Sequence, residues 1–191
     1  MKILLLLLFI LLIFIIKYLL SNIIFYNKFK LCGYGAYDII CKLKLINGKH
    51  EIEKNLWLGD FRSGLDTDFL VSNNIKLVVN LSKDLDFTKL NIEKYRVPIH
   101  DNRSQESNIG MIKHFPNINT KIQTHINNNE GVLVHCRAGL QRSATVIALY
   151  LMKKHKIDFE SAKSIIRSKR GIVFYPVVNF IEPIKYFEKT F

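Results

Sequence analysis

Residues 132–143 read Val132-Leu133-Val134-His135-Cys136-Arg137-Ala138-Gly139-Leu140-Gln141-Arg142-Ser143, and an almost wholly apolar run over 144–152 follows, closed by Lys153 and Lys154. The opening apolar triplet suits a buried strand and the later run a buried helix, with a tight loop between them. Backbone N–H groups between Arg137 and Arg142, gathered at a helix N-terminus, make a concave nest for a tetrahedral anion. Arg142 adds a planar, permanently charged fork that can grip two oxygens at once. In that positive field Cys136 is expected to act as a thiolate, because helix N-termini and nearby cations favour the sulfur anion. Gly139 is expected to let the backbone approach the bound anion closely. Taken singly, a cysteine after a strand is a small buried hydrophobe and an arginine at a helix start is a solvated charge. Here Cys136, five residues, then Arg142-Ser143 at a strand-to-helix junction put a nucleophile, an anion cradle and a charge clamp in one loop.

The segment HCRAGLQRS, residues 135–143, resembles the phosphate-binding loop of the cysteine-dependent protein tyrosine phosphatases, and residues 132–152 look most like the dual-specificity branch. The resemblance covers roughly residues 51–187. It implies that Cys136 is the nucleophile and that Arg142 binds the phosphoryl group and stabilises the transition state. It implies that Ser143 helps the thiolate leave in the second step. Arg137, Ala138, Gly139, Leu140 and Gln141 would then line the phosphate, and His135 would be a structural support for the Cys136 environment. It implies no metal and no other cofactor.

The chain has 191 residues and a formal net charge of +12, with a pI near 9.6, which leaves room for one domain and a short extension. Such charge suits anionic partners, whether phosphorylated protein substrates or an anionic membrane surface. Zinc-finger spacing, RNA-binding aromatic motifs and a basic helical stripe are all missing, so nucleic acid is not the expected partner. The three cysteines, Cys32, Cys41 and Cys136, are too few and too irregular for a disulfide framework. A working thiolate at Cys136 also calls for a reducing compartment. Cys32 and Cys41 read as inert thiols, with palmitoylation as the alternative. Oligomeric state is left open.

Residues 3–16 contain no polar side chain; Lys17 interrupts and residues 18–20 resume the run. A spanning helix needs about 20 residues, and residues 3–20 qualify if Lys17 snorkels to the headgroups. A cleaved signal peptide is the rival, but no small-residue cleavage site closes the run. Only Lys2 precedes it, whereas Lys28, Lys30, Lys42, Lys44 and Lys49 follow, so the positive-inside rule puts the rest of the chain in the cytoplasm. The expected organisation is a transmembrane anchor over residues 1–26, a basic juxtamembrane linker over 27–49 and a phosphatase domain over 50–191.

Within that domain, residues 50–53 and 56–59 read as short strands around Lys54-Asn55, residues 66–72 as a helix and 75–81 as a buried strand. Residues 95–99 read as an edge strand because of Pro98, and residues 100–108 as a polar loop. A helix is expected over 115–126 with Pro116 in its first turn. Three more follow: 143–155, then 159–169 capped by Asp158 and stopped by Gly171, then 178–188. Alternating strands and helices imply an α/β fold with a central, mostly parallel sheet flanked by helices. The reactive loop falls at the carboxyl end of a strand, where such sheets bind ligands.

Cleaving a phosphate ester with a thiolate also takes a proton for the departing oxygen. Asp101, just past a strand in the polar loop, is the first candidate for general acid and base, and the resemblance implies an acid on this upstream loop; Glu106 is the second. The expected function is a membrane-anchored phosphatase acting on phosphotyrosine and on phosphoserine or phosphothreonine through a phosphocysteine intermediate. A second reading keeps the chemistry on a phosphoinositide head group or an RNA 5′-triphosphate. Lipid-directed relatives carry two lysines in this loop where Arg137 and Gln141 stand. A third reading, a non-catalytic phosphoprotein-binding module, would favour loss of Cys136, Arg142 or the acid, and all are present.

Overall fold

The computed structural model describes residues 47–191. The expected anchor, and all but the last three residues of the expected linker, lie outside the described residues. Among the described residues no helix is long and apolar enough to cross a membrane.

Among the described residues five strands make one sheet. They are β1 (Lys49–Glu53), β2 (Leu56–Gly59), β3 (Ile75–Asn80), β4 (Glu93–Arg96) and β5 (Gly131–His135), in the spatial order β1-β2-β5-β3-β4. Only β1 runs antiparallel to its neighbour; β2, β5, β3 and β4 are mutually parallel. β5 is central, and its alternating side chains serve both faces. Val132 and Val134 join the large core, while Leu133 joins Val78, Phe69, Leu70 and Ile75 on the other side. That is the period-two division expected of a strand covered on both faces.

The helices are α1 (Thr67–Ser72), α2 (Gln105–Asn127), α3 (Arg142–His155), α4 (Phe159–Lys169) and α5 (Ile181–Glu188). α1 covers the smaller core and the others surround the larger one. α3 is the central helix: every residue from Arg142 to Met152 is buried. Asp66 caps α1 by accepting from Phe69 N–H, and Asp158 caps α4 by accepting from Ser161 N–H.

The sequence expectations hold for a mostly parallel sheet, for α1 and for α3, and differ at four places. α2 begins at Gln105 rather than at residue 115, with Ser104 as its N-cap. Pro116 therefore lies inside the helix, where proline costs about 3 kcal/mol. Met111, Phe115, Ile118 and Ile122, spaced along one helical stripe, are at most 1% exposed, and burying that stripe outweighs the lost bond. The polar loop correspondingly shortens to residues 97–104. β4 covers residues 93–96 rather than 95–99, because its ladder ends where β3 ends, at Asn80 opposite Arg96. α4 closes on Arg170, which leaves helical conformation at φ −137° and ψ 83°, so Gly171 follows the stop and does not make it. α5 starts at Ile181, with buried Phe180 as its N-cap.

His135 ends β5 with no exposed surface, and its ring lies so close to Gly64 that a Cβ there would fall 2.8 Å from Nε2. Burial drives its pKa from 6.5 down to about 4, so the imidazole is neutral near pH 7. The unfolded chain then binds more protons than the folded one between these values, and stability falls as pH drops through that window. From pH 7 to pH 5, above the range where carboxylates titrate, His135 should remove about 2 kcal/mol. Urea midpoints taken across this interval should fall further for the wild type than for His135→Asn, which keeps only the similar loss from His50; equal pH dependence in the two would contradict the assignment.

Candidate active site

A trans peptide carries its C=O and the next N–H on opposite sides. Turning a run of amides toward one point therefore turns their carbonyls away, and buried carbonyls need partners. From Arg137 to Gln141 each one has a partner. Arg137 O accepts from Phe61 N–H at 3.2 Å, and Leu140 O from Phe174 N–H at 3.0 Å. Gln141 O accepts from Thr145 N–H at 2.8 Å and from Thr145 Oγ1 at 2.9 Å. Arg170 supplies the remaining two, with Nη2 donating to Ala138 O and Nε to Gly139 O, both at 3.0 Å.

With the carbonyls of 137–140 tied outward, the N–H groups of 138–141 face the opposite way by peptide geometry. Gly139 N–H donates to Cys136 Sγ at 3.3 Å, and Ser143 Oγ donates to the same sulfur at 3.3 Å. Gly139 holds φ +65°, and a Cβ there would meet Gly59 O at 2.6 Å, so only glycine fits both the left-handed conformation and the close approach to β2. Gln141 opens α3 without capping it by its side chain, so no cap consumes the first-turn N–H groups. The Gln141 amide instead donates to Val177 O at 2.9 Å and Tyr175 O at 3.3 Å. Cys136 is 1% exposed and is the one cysteine among the described residues.

Arg142 is 6% exposed. Its Nη1 donates to Leu81 O at 3.0 Å and to Ile99 O at 3.2 Å, which fixes the guanidinium between the ends of β3 and β4. Its Nε lies 3.5 Å from Asp101 Oδ2. The other oxygen of Asp101 accepts from Asn179 Nδ2 at 2.7 Å. Glu106, by contrast, is exposed on the first turn of α2. Cys136, Ser143, Arg142 and Asp101 are thus brought together around one loop. His135, directly before Cys136, is fully buried as a neutral ring. Arg137 points to the side, its Nη2 3.1 Å from Asp84 Oδ2. Among the described residues no group of three or more His, Cys, Asp or Glu is arranged to hold a metal ion.

Three supporting residues were not legible in the sequence. Arg170 is 2% exposed and, besides its loop carbonyls, donates to Asn47 O at 2.9 Å and contacts His50 Nδ1 at 3.1 Å. Burial first, then the Arg170 charge, lowers the His50 pKa to about 4, leaving its Nδ1 a neutral acceptor. Asp60, fully buried, ion-pairs with Arg62 and accepts from the N–H groups of Arg62 and Ser63. Asn179 reaches Asp101 across 78 positions of sequence. Arg170 reads as one more cation in a basic helix end, and Asn179 as one polar residue in a loop; no spacing marks either.

A loop of inward amides around a sulfur, closed by a buried arginine, binds a tetrahedral dianion and presents a nucleophile to its centre. Comparisons with known proteins point the same way. Residues 56–190 match the family model described as dual specificity phosphatase, catalytic domain. The chain is 34% identical over 140 residues to dual specificity protein phosphatase 1B of Arabidopsis thaliana, across 73% of this chain and 81% of that protein. It is 31% identical over 140 residues to putative tyrosine phosphatase 123R of Invertebrate iridescent virus 6, across 73% and 91% respectively. The crystal structure of human DUSP28 shares the fold, with a TM-score of 0.69 at 20% identity over 76% of this chain and 95% of that one. By its catalytic-domain match and its relatives, the chain belongs to the dual-specificity phosphatases of the protein tyrosine phosphatase superfamily.

Proposed function

We propose that the chain is a membrane-anchored protein phosphatase that hydrolyses phosphotyrosine and phosphoserine or phosphothreonine through a phosphocysteine intermediate at Cys136. The observation that carries this reading is the Cys136 sulfur under inward-turned amides with Arg142 and Asp101 alongside. In the first step the Cys136 thiolate attacks phosphorus. The S–P bond forms as the P–O bond to the substrate breaks, and the departing oxygen takes the proton of Asp101. The loop amides and Arg142 hold the equatorial oxygens, where negative charge concentrates. In the second step Asp101 accepts a proton from water as that water attacks phosphorus. Phosphate leaves, and the Ser143 hydroxyl donates to the returning thiolate. The domain fits a protein substrate better than a phosphoinositide, because Arg137 and Gln141 occupy the loop positions where lipid-directed relatives carry lysines.

Residues 3–20 serve in this reading as the anchor, with the catalytic domain on the cytoplasmic side. Phosphorylated substrates in the same membrane plane would then meet the site at raised effective concentration.

Phosphate release from phosphotyrosine and phosphothreonine peptides should be abolished by Cys136→Ser. For a substrate with a poor leaving group, such as phenyl phosphate, Asp101→Asn should lower kcat/KM by about 100- to 10,000-fold. Turnover by the Cys136→Ser protein would sink the covalent route, and release from phosphoinositides alone would move the substrate to lipid. Removing residues 1–46 should shift the protein from the membrane to the soluble fraction after alkaline extraction. A full-length chain extracted as readily as the truncated one would argue against the anchor.

A further inference from the structure

Asp101 lies on the short stretch between β4 and α2, and its two carboxyl oxygens face different neighbours. Oδ2 is the oxygen 3.5 Å from Arg142 Nε, and Oδ1 is the one that accepts from Asn179 Nδ2 at 2.7 Å. The direction of that second bond follows from its neighbour. Arg103 Nε sits 2.9 Å from the other end of the Asn179 amide, and a guanidinium only donates. The amide oxygen must therefore face Arg103, which turns the NH2 group toward Asp101. Arg103 itself is held at φ +56° in the tight bend before α2, where Asn102 Oδ1 accepts from Ser104 N–H and Ser107 Oγ, both at 3.1 Å.

A carboxylic acid has one carbonyl oxygen and one hydroxyl oxygen. An oxygen occupied by an N–H donor at this distance serves as the acceptor, so the proton resides on the other. We propose that Asn179 is the positioning residue of the acid: it takes Oδ1 as the acceptor and so leaves the transferable proton on Oδ2, the oxygen beside Arg142 and the phosphate loop. The same residue ties the acid to that loop mechanically, since its backbone N–H donates to Gln141 Oε1 at 3.0 Å. The proposal rests on reading Asp101 as the general acid, and a leaving-group test separates the two.

The full-length chain is assayed as wild type, Asp101→Asn, Asn179→Ala and the double variant. The substrates are phenyl phosphate, whose leaving group needs a proton, and difluoromethylumbelliferyl phosphate, whose leaving group departs without one. Asn179→Ala should lower kcat/KM on phenyl phosphate by about 10- to 100-fold, a fraction of the full general-acid effect, and leave the other substrate within about 3-fold. In the Asp101→Asn background it should cost nothing further, because residues that act as one unit are non-additive. Asn179→Leu keeps the side chain's size and the backbone bond to Gln141 but has no donor, so it should match Asn179→Ala and guards against a folding defect in the latter. Equal losses on both substrates, adding to those of Asp101→Asn, would reduce Asn179 to a structural tie and overturn the proposal. Discrimination by Asp101→Asn with Asn179→Ala and Asn179→Leu silent would overturn the proposal alone. No discrimination by Asp101→Asn would overturn the acid reading and the proposal together.

Discussion

Five consecutive buried carbonyls have to be satisfied for the loop after β5 to turn its amides inward. Each unpaired one would cost about 1–3 kcal/mol, a large part of the net stability of a domain this size. The surrounding fold is arranged to meet that demand from several directions. The turn after β2 gives Phe61 N–H, the segment before α5 gives Phe174 N–H, and α3 closes back on Gln141 through Thr145. The buried guanidinium of Arg170 covers Ala138 and Gly139 together. A planar fork suits two adjacent carbonyls better than a lysine would, and the same group reaches Asn47 and His50 at the start of the described chain.

The sheet order explains why the other groups arrive at this point. β5 is flanked by β2 and β3, all parallel, so their carboxyl ends open on the same edge. Arg142 can then bond Leu81 O just past β3 and Ile99 O past β4 at once. Asp101 follows Ile99 by two residues and so comes to the arginine through the same geometry. The loop between β3 and β4 is itself pinned by Arg96, which donates to Ser82, Lys83 and Leu85 carbonyls. Charge and backbone hydrogen bonding thus cooperate: the cation that would bind phosphate is held by carbonyls that the sheet fixes in place.

Much of this was legible in the sequence because it is local. The apolar triplet before Cys136 and the apolar run after Ser143 set the strand, the loop and the helix, and Asp66 and Asp158 marked helix starts that the structure keeps. Asp101 over Glu106 was a matter of position after a strand, and the structure brings Asp101 to within 3.5 Å of Arg142. The start of α2 was hidden because Gln105, Glu106, Ser107 and Asn108 carry no apolar period and Pro116 reads as a helix start, although the Met111–Phe115–Ile118–Ile122 stripe was there to be counted. Arg170 and Asn179 were hidden for a different reason. Their roles arise only when distant segments meet, and a single arginine or asparagine carries no local pattern to announce it.

The measurement that reaches the centre of this account is peptide mapping by mass spectrometry of the full chain denatured during turnover of an aryl phosphate. The account predicts one phosphoryl group, carried on the peptide containing Cys136 and present only while substrate is being consumed. A phosphoryl group on any other residue would contradict it, as would steady turnover during which Cys136 never carries phosphate.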